Sequence, residues 1–159
     1  MGGACTACLE AKAEVCDKDK QACIIDPTSL WSIRPVSAVI VAKDPADESD
    51  WDVDGSTPDV VVRLACPSDS DEAVLGLSSE VSSFTPAWND GECSVTFSAL
   101  MKKPTNITLL DVDFSFDDEI SSGSYQFTEA NVREEYVNLA MPNKASTLLV
   151  QIKPPQRKR

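Results

Sequence analysis

The pattern of hydrophobic and polar residues changes after the first 26 positions. Residues 1–26 are rich in Ala and also contain Lys, Glu and one Gln, a composition that favours helix. From Pro27 onward, short runs of β-branched and apolar residues are separated by turns that contain Pro, Gly and Asp. The pattern therefore predicts a short helical N-terminal appendage at 1–26, an all-β domain at 27–154 and a basic tail at 155–159.

The regular spacing of the apolar runs predicts about eight antiparallel strands packed as a β-sandwich. Alternation is cleanest at 93–100, as expected for a strand with one buried face. Pro35 is best placed at a sheet edge or a bulge, because proline cannot donate a hydrogen bond to the ladder. The predicted strands cover residues 31–42, 59–66, 73–84, 93–100, 106–110, 124–127, 135–140 and 147–152.

Composition and charge exclude several classes of function. The 159 residues are enough for one domain with a hydrophobic core. The formal net charge of -12 predicts no nucleic-acid partner, since a basic run that could neutralise phosphates occurs only at Arg157–Arg159. The chain has no histidine and no serine in a nucleophile-elbow pattern, so it lacks the catalytic constellation that a calcium-assisted hydrolase would need. We therefore predict that the protein is not an enzyme.

The six cysteines predict disulfide bonds. Four of them crowd the first segment: Cys5, Cys8, Cys16 and Cys23. A short helix or helical hairpin there would close two bridges, whose pairing the sequence leaves open. Zinc and reduced thiols are the alternatives, but only Cys5 and Cys8 have the spacing of a zinc pair. Cys66 and Cys93 flank predicted strands and predict a third bridge. The even count and the density predict an oxidising, extracytoplasmic compartment, whether secreted, periplasmic or at the cell surface.

Aspartates are concentrated in two segments, residues 43–59 and 111–118, each flanked by predicted strands. So many like charges in a turn repel each other unless a cation neutralises them. Carboxylate oxygens favour a hard divalent ion, and we predict Ca²⁺ as the cofactor. Because a sandwich can bring two strand ends together, the two loops are expected to meet and share ions.

The first acidic loop matches part of the helix–loop–helix calcium motif. Asp50, Asp52 and Asp54 occupy positions one, three and five, and Gly55 occupies position six. Position twelve is Val61, where that motif has a bidentate Glu, and the flanks are predicted strands. The motif therefore does not explain the loop, and a solvated acidic hairpin is the simplest alternative.

Three turn motifs occur in a recognisable order. Residues 56–62 (Ser-Thr-Pro-Asp-Val-Val-Val) and 84–90 (Phe-Thr-Pro-Ala-Trp-Asn-Asp) precede the Asp-x-Asp pattern of 111–118 and Gly123. They are similar to the Ser-Asp-Pro-Tyr-Val, Leu-Asn-Pro-Val-Trp-Asn-Glu and third-loop motifs of the C2 domain, a calcium-dependent phospholipid-binding β-sandwich. The resemblance covers about residues 32–153. Its last part, from 134 onward, resembles the C2 variant with the extra strand at the C-terminus.

The resemblance implies a set of metal ligands. Asp59 matches the aspartate that closes the first loop, and three more match the third loop. A further first-loop ligand is ambiguous because the loop is longer than usual: Asp52 is favoured, Asp54 is second, and Asp44 is a third position. The predicted ligands are Asp52, Asp54, Asp59, Asp111, Asp113 and Asp118. Three features depart from the family pattern: Asp59 is followed by Val60 rather than Pro, the third loop is one residue short, and no basic lipid-binding surface is present.

Three aromatic residues interleave with the acids of the loops and are predicted membrane contacts: Trp51, Phe114 and Phe116. Together these features predict a non-enzymatic Ca²⁺-binding module that attaches to anionic phospholipid membranes. The alternative is an extracytoplasmic protein-interaction or adhesion domain in which Ca²⁺ is structural, because a switch would be permanently occupied where Ca²⁺ is abundant.

Overall fold

Two antiparallel sheets form the body of the protein. The computed structural model describes residues 5, 7–114 and 116–156, with the backbone alone for Lys144. The strands are β1 (Glu14–Asp17), β2 (Ala22–Ile25), β3 (Leu30–Ile40), β4 (Asp59–Cys66), β5 (Val74–Leu77), β6 (Val81–Ser82), β7 (Cys93–Thr96), β8 (Thr105–Asp111), β9 (Asp118–Tyr125), β10 (Tyr136–Ala140) and β11 (Ser146–Lys153). The helices are α1 (Phe97–Lys102) and α2 (Glu129–Glu134), with short 3₁₀ turns at Glu10–Lys12 and Pro142–Lys144.

The first sheet has the order β10-β11-β3-β7 and the second β5-β4-β8-β9, with the two-residue β6 also paired to β4. Apart from β6, the two sheets contain the eight strands that were predicted, so the antiparallel sandwich is confirmed. The final strand, β11, lies between β10 and β3, in agreement with the predicted C-terminal placement of the extra strand. None of the helices in the described part of the chain is long and apolar enough to cross a membrane.

Alternating side chains of the strands fill one hydrophobic core between the sheets. Val60, Val62 and Leu64 of β4 are completely buried, whereas Arg63 between them is exposed. Burial of each such side chain contributes about 1.5–3 kcal/mol, which fixes the register, because a slip of one residue would turn these side chains to solvent. The same alternation in β8 and β11 completes the core with Ile107, Leu109, Leu148, Val150 and Ile152.

Pro35 lies at a bulge, as predicted. Val150 pairs with Pro35 and Leu149 with Ser37, so β3 has one additional residue at this point. That residue, Val36, accepts a hydrogen bond at its carbonyl oxygen from the backbone N–H of Trp88 at 2.8 Å. The bulge therefore lets a central strand contain a proline without losing its contacts on either side.

The predicted disulfides are present. Cys66 at the end of β4 and Cys93 at the start of β7 form a buried bridge that joins the two sheets. In the N-terminal segment the pairs are Cys5–Cys16 and Cys8–Cys23, a choice that the sequence left open. Three bridges favour an oxidising compartment.

The N-terminal segment is not the predicted helical element. Apart from the 3₁₀ turn at Glu10–Lys12, it folds as a β1-β2 hairpin held by the two bridges. Helical composition is a weak signal in so short a segment, because isolated helices below about 12–15 residues are marginal in water. The hairpin is held against the sandwich by the buried Ile25 and by an ion pair between Glu14 and Arg133 at 2.6 Å.

Other boundaries also differ from the prediction. The strand predicted at 93–100 ends at Thr96, whose side chain accepts a hydrogen bond from Ala99 N–H and begins α1. The second helix, α2, was not predicted, although Thr128 and Asn131 form a capping box at its start. The predicted strand at 73–84 is split into β5 and β6, and β9 begins at Asp118 rather than at 124. Of the predicted basic tail, Arg157–Arg159 lies outside the described residues.

Candidate functional site

The two acidic segments lie at one end of the sandwich. Residues 41–58 connect β3 to β4, and residues 112–117 connect β8 to β9. Two hydrogen bonds join them at their bases: Asp59 N–H donates to Asp111 Oδ1 at 2.7 Å, and Val112 N–H donates to the Asp59 carbonyl oxygen at 2.9 Å. These two segments are the first and second acidic loops. The strand ends from which they extend, in β4 and β8, belong to one antiparallel ladder.

Asp111 is a buried carboxylate with an unpaired oxygen. The residue is 0% exposed, and while Oδ1 accepts the hydrogen bond from Asp59 N–H, Oδ2 is buried and has no partner within the described structure. Burial raises the pKa of this carboxyl to about 6, and the charges of Asp52, Asp113 and Asp59 add to the increase. Because an unpaired buried carboxylate oxygen is costly, the side chain lies in an environment that favours either a proton or a cation.

Asp113 shows the same electrostatic environment. Its pKa is raised by partial burial and then by the charges of Asp52, Asp118, Asp117 and Asp59. Asp52 belongs to the first acidic loop and Asp113 to the second, so the repulsion acts across the junction between the loops. Asp118 lies directly opposite Asp111 in the β8-β9 ladder. The fold therefore brings carboxylates from both loops into one negative region.

Most other carboxylates of the first loop serve the local backbone. Three of them each accept a hydrogen bond at 2.8–2.9 Å from the backbone N–H two residues further along: Asp44, Asp47 and Asp54. Such Asx turns stabilise tight turns without any ion. Asp50 instead pairs with Lys43, Nζ to Oδ1, at 2.9 Å. The density of aspartates in the sequence thus overstates how many of them face the second loop.

The structure places Asp52 and Asp54 differently. The Asp52 carboxylate contributes to the raised pKa of Asp111 and of Asp113, whereas Asp54 is not among the described residues that do so. Both side chains also contact Ser56: its backbone N–H donates to Asp54 Oδ1 at 2.9 Å, and its hydroxyl donates to Asp52 Oδ2 at 2.7 Å. The preference for Asp52 over Asp54 stays a prediction.

Trp51 is not an exposed loop-tip residue, and its prediction as a membrane contact was wrong. The side chain is only 7% exposed, and its indole N–H donates to the Val41 carbonyl oxygen at 2.7 Å. An amphipathic ring next to an apolar strand end is more stable inside the protein.

Phe114 is fully exposed and Phe116 is 82% exposed, and Val53 is fully exposed as well. Val53 was missed because a single valine in an acidic loop gives no pattern.

The described residues do not form a ready-made metal cluster: no three side chains of Asp, Glu, Cys or His among them lie close enough together to hold an ion. The chemistry of the donors nevertheless fits a hard cation, since all are carboxylate oxygens and Asp111 offers a buried oxygen without a partner. The ligand set therefore remains a prediction: Asp52, with Asp54 as the second choice in the first loop, Asp59, Asp111, Asp113 and Asp118.

No family model matches the sequence, and no curated protein matches it. Solved structures do. CC2D1B superposes with a TM-score of 0.58 at 13% identity, over 80% of this chain and 56% of that one. The first of the C2 domains of plant extended synaptotagmin 1 gives 0.56 at 14% identity, over 83% and 99%. The calcium-bound pair of C2 domains of extended synaptotagmin 2 gives 0.53 at 16%, over 81% and 46%.

These similarities are too low in identity to transfer a function, but they show the fold. The chain spans little more than half of CC2D1B and nearly all of the plant synaptotagmin domain. The chain adopts the C2 fold, and the resemblance seen in the sequence is confirmed at that level.

Proposed function

We propose that this C2-fold domain binds Ca²⁺ between its two acidic loops and thereby attaches to anionic phospholipid membranes without catalysing a reaction. The observation that carries the proposal is Asp111, whose unpaired buried oxygen lies in the repulsive field of Asp52, Asp59 and Asp113. A divalent cation at this place removes the repulsion and supplies the missing partner. The ion-free loops thus contain part of the driving force for binding.

Net charge makes the attachment dependent on the ion. At -12 the protein is repelled by an anionic bilayer. A Ca²⁺ ion held by the loop carboxylates would supply positive charge that attracts lipid phosphates. The predicted ligands that would hold it are Asp52, or Asp54 as the second choice, together with Asp59, Asp111, Asp113 and Asp118.

Exposed apolar side chains flank the acidic residues. Val53 follows Asp52 in the chain, and Phe114 follows Asp113, so both lie beside carboxylates that interact across the loops. Exposed aromatic side chains at such a tip are favoured at a membrane interface. Burial of one phenylalanine is worth about 1.5–3 kcal/mol when complete, so removal of both from a partly inserted loop weakens binding at least about tenfold.

Co-sedimentation with vesicles of phosphatidylserine and phosphatidylcholine tests the proposal. We expect binding in Ca²⁺ and none in EGTA, and a loss of affinity in the variant with Phe114→Ala and Phe116→Ala. The matched control is the variant with Leu75→Ala and Leu77→Ala, since these exposed leucines lie on β5, away from the loops. Binding that is unchanged by Ca²⁺ or by the phenylalanine substitutions would refute the membrane function.

A second function is favoured by the three disulfides. In an oxidising compartment Ca²⁺ is usually abundant, and the ion would be a permanent structural component that rigidifies the loops for contact with another protein. The two functions differ in affinity: calorimetric titration giving micromolar dissociation constants supports the membrane switch, and millimolar constants support the structural role. In the second case Ca²⁺ raises the melting temperature but vesicles are not bound.

A further inference from the structure

The face of the second sheet that points away from the core contains an unassigned modification sequence. Residues 106–108 read Asn-Ile-Thr, and none of the other four asparagines is followed two residues later by Ser or Thr. Asn-x-Ser/Thr with x other than Pro is the acceptor sequence for N-linked glycosylation. A three-residue pattern alone is weak, so its position in the fold decides its meaning.

The fold presents both recognition side chains to solvent. In β8, Thr105 and Ile107 are completely buried, whereas Asn106 is exposed and Thr108 is partly exposed on the opposite face. The Asn106 amide has no hydrogen-bond partner within the described part of the chain. An attached sugar would therefore break no hydrogen bond among the described residues and displace no core side chain.

Small neighbours leave room for a sugar. Asn106 pairs with Ala65 of β4 on one side and with Ser124 of β9 on the other. A shallow depression beside it contains some polar groups: Lys103 Nζ donates to the carbonyl oxygens of Ser68 and Ser70 at 3.2 and 2.9 Å. Such groups can accept and donate hydrogen bonds to a carbohydrate.

An exposed apolar pair lies within reach of this position. Leu75 of β5 is opposite Ala65, two strands away from Asn106 or about 10 Å, and is 70% exposed; Leu77 is 61% exposed. These leucines lie on an edge strand, where exposed apolar side chains promote association between chains. A glycan on Asn106 would cover this pair.

We propose that Asn106 carries an N-linked oligosaccharide. The three disulfides support this independently, because the endoplasmic reticulum forms disulfide bonds and also transfers glycans. The co-reactant is a polyprenyl-diphosphate-linked oligosaccharide together with its transferase. Asn106 Nδ2 forms a bond to the anomeric carbon of the first sugar, and the bond from that carbon to the diphosphate oxygen breaks. The polyprenyl diphosphate leaves with the electron pair of the broken bond, and an Nδ2 proton passes to a base.

The position is compatible with loop function. Asn106 lies five residues from Asp111 along β8, a separation of about 16 Å, at the opposite end of the strand from the acidic loops. Because β8 is paired on both sides, the transferase must act before the strand is incorporated into the sheet. The modification therefore takes place on the nascent chain.

The test is secretion of the whole chain from a eukaryotic cell line, followed by intact mass measurement before and after peptide N-glycosidase. We expect an oligosaccharide that the enzyme removes, with conversion of Asn106 to aspartate in the peptide map. Asn106→Gln and Thr108→Ala should lose it, whereas Thr108→Ser should keep it. Asn138→Gln is the matched control, since Asn138 is also exposed on a strand but lies outside an acceptor sequence.

Wild-type protein secreted with its disulfides formed but without added sugar would overturn the proposal, as would a sugar that persists in Asn106→Gln. The peptide map of wild-type protein decides the matter even if a variant is not secreted. For the covering role, native deglycosylation should increase self-association, and Leu75→Ser with Leu77→Ser should reverse the increase. Equal association of both forms would refute that role while leaving the modification itself established.

Discussion

Replacing Asp111 by asparagine is expected to stabilise the calcium-free protein at neutral pH. The folded state raises the pKa of this carboxyl from 3.8 to about 6, so it binds the proton more tightly than the unfolded chain does. The favourable contribution of this group is complete below about pH 3.8 and is lost as the pH rises through about 6. At pH 7 the ionised side chain therefore destabilises the fold, whereas asparagine of nearly the same shape places no charge there.

The size of the effect follows from the pKa difference. The difference between the pKa of 3.8 and the pKa of about 6 corresponds to nearly 3 kcal/mol, at about 1.4 kcal/mol per pH unit. Screening by water and salt at the loop end reduces this free energy to about 2 kcal/mol. For a chain of 159 residues, about 2 kcal/mol raises the melting temperature by about 4–8 °C. Asparagine retains the oxygen that accepts from Asp59 N–H, so the variant loses no hydrogen bond at this position.

The assay is thermal unfolding followed by circular dichroism between about pH 3.5 and pH 8. This range brackets the pKa of the Asp111 carboxyl in the unfolded and in the folded protein. In EGTA, Asp111→Asn should melt higher than wild type at pH 7, and the two curves should converge near the acidic limit. Millimolar Ca²⁺ should then raise the melting temperature of wild type but not of the variant. Asp71→Asn is the control, because Asp71 is an exposed aspartate distant from the loops and should show neither effect.

An Asp111→Asn variant that is less stable than wild type at pH 7 in EGTA would refute the reasoning, because the ionised carboxyl would then contribute favourably to the fold. A variant stabilised as expected but still responsive to Ca²⁺ would keep the electrostatic argument and remove Asp111 from the predicted ligands.

Two further predictions concern the sandwich itself. Replacing Cys66 and Cys93 together by alanine should lower the free energy of unfolding, measured by urea denaturation, by about 3.5 kcal/mol. This is the chain-entropy value for a bridge with a sequence separation of 27. A loss below about 1 kcal/mol would mean that the unfolded chain gains little conformational freedom when the bridge is removed. Trp51→Phe should cost about 1 kcal/mol through the lost hydrogen bond to Val41 and leave vesicle binding unchanged, whereas a selective loss of vesicle binding would restore Trp51 as a membrane contact.

Much of the fold followed from the sequence, because the signals were local and repeated. Alternation over β4 and β8 placed these strands within one residue at each end, and burial of one face leaves a single register. An edge or bulge position at Pro35 was also predictable, because proline has no N–H to donate to the ladder. The Cys66–Cys93 bridge followed from two cysteines at strand ends. Composition failed in the N-terminal segment, where two disulfides outweigh a weak helical preference.

The sequence by itself determined that two acidic loops exist and that strands flank them, since charge density and periodicity are properties of the chain. Only the tertiary structure decided which carboxylates matter to one another. Asp54 is engaged in a local turn, while Asp52 lies in the field of Asp113, and Asp111 is buried with one oxygen unpaired. The tertiary structure also buries Trp51, which was a predicted membrane contact, and exposes Val53 in the same loop. Burial and distance between loops depend on how two sheets pack, and no spacing along the chain contains that information.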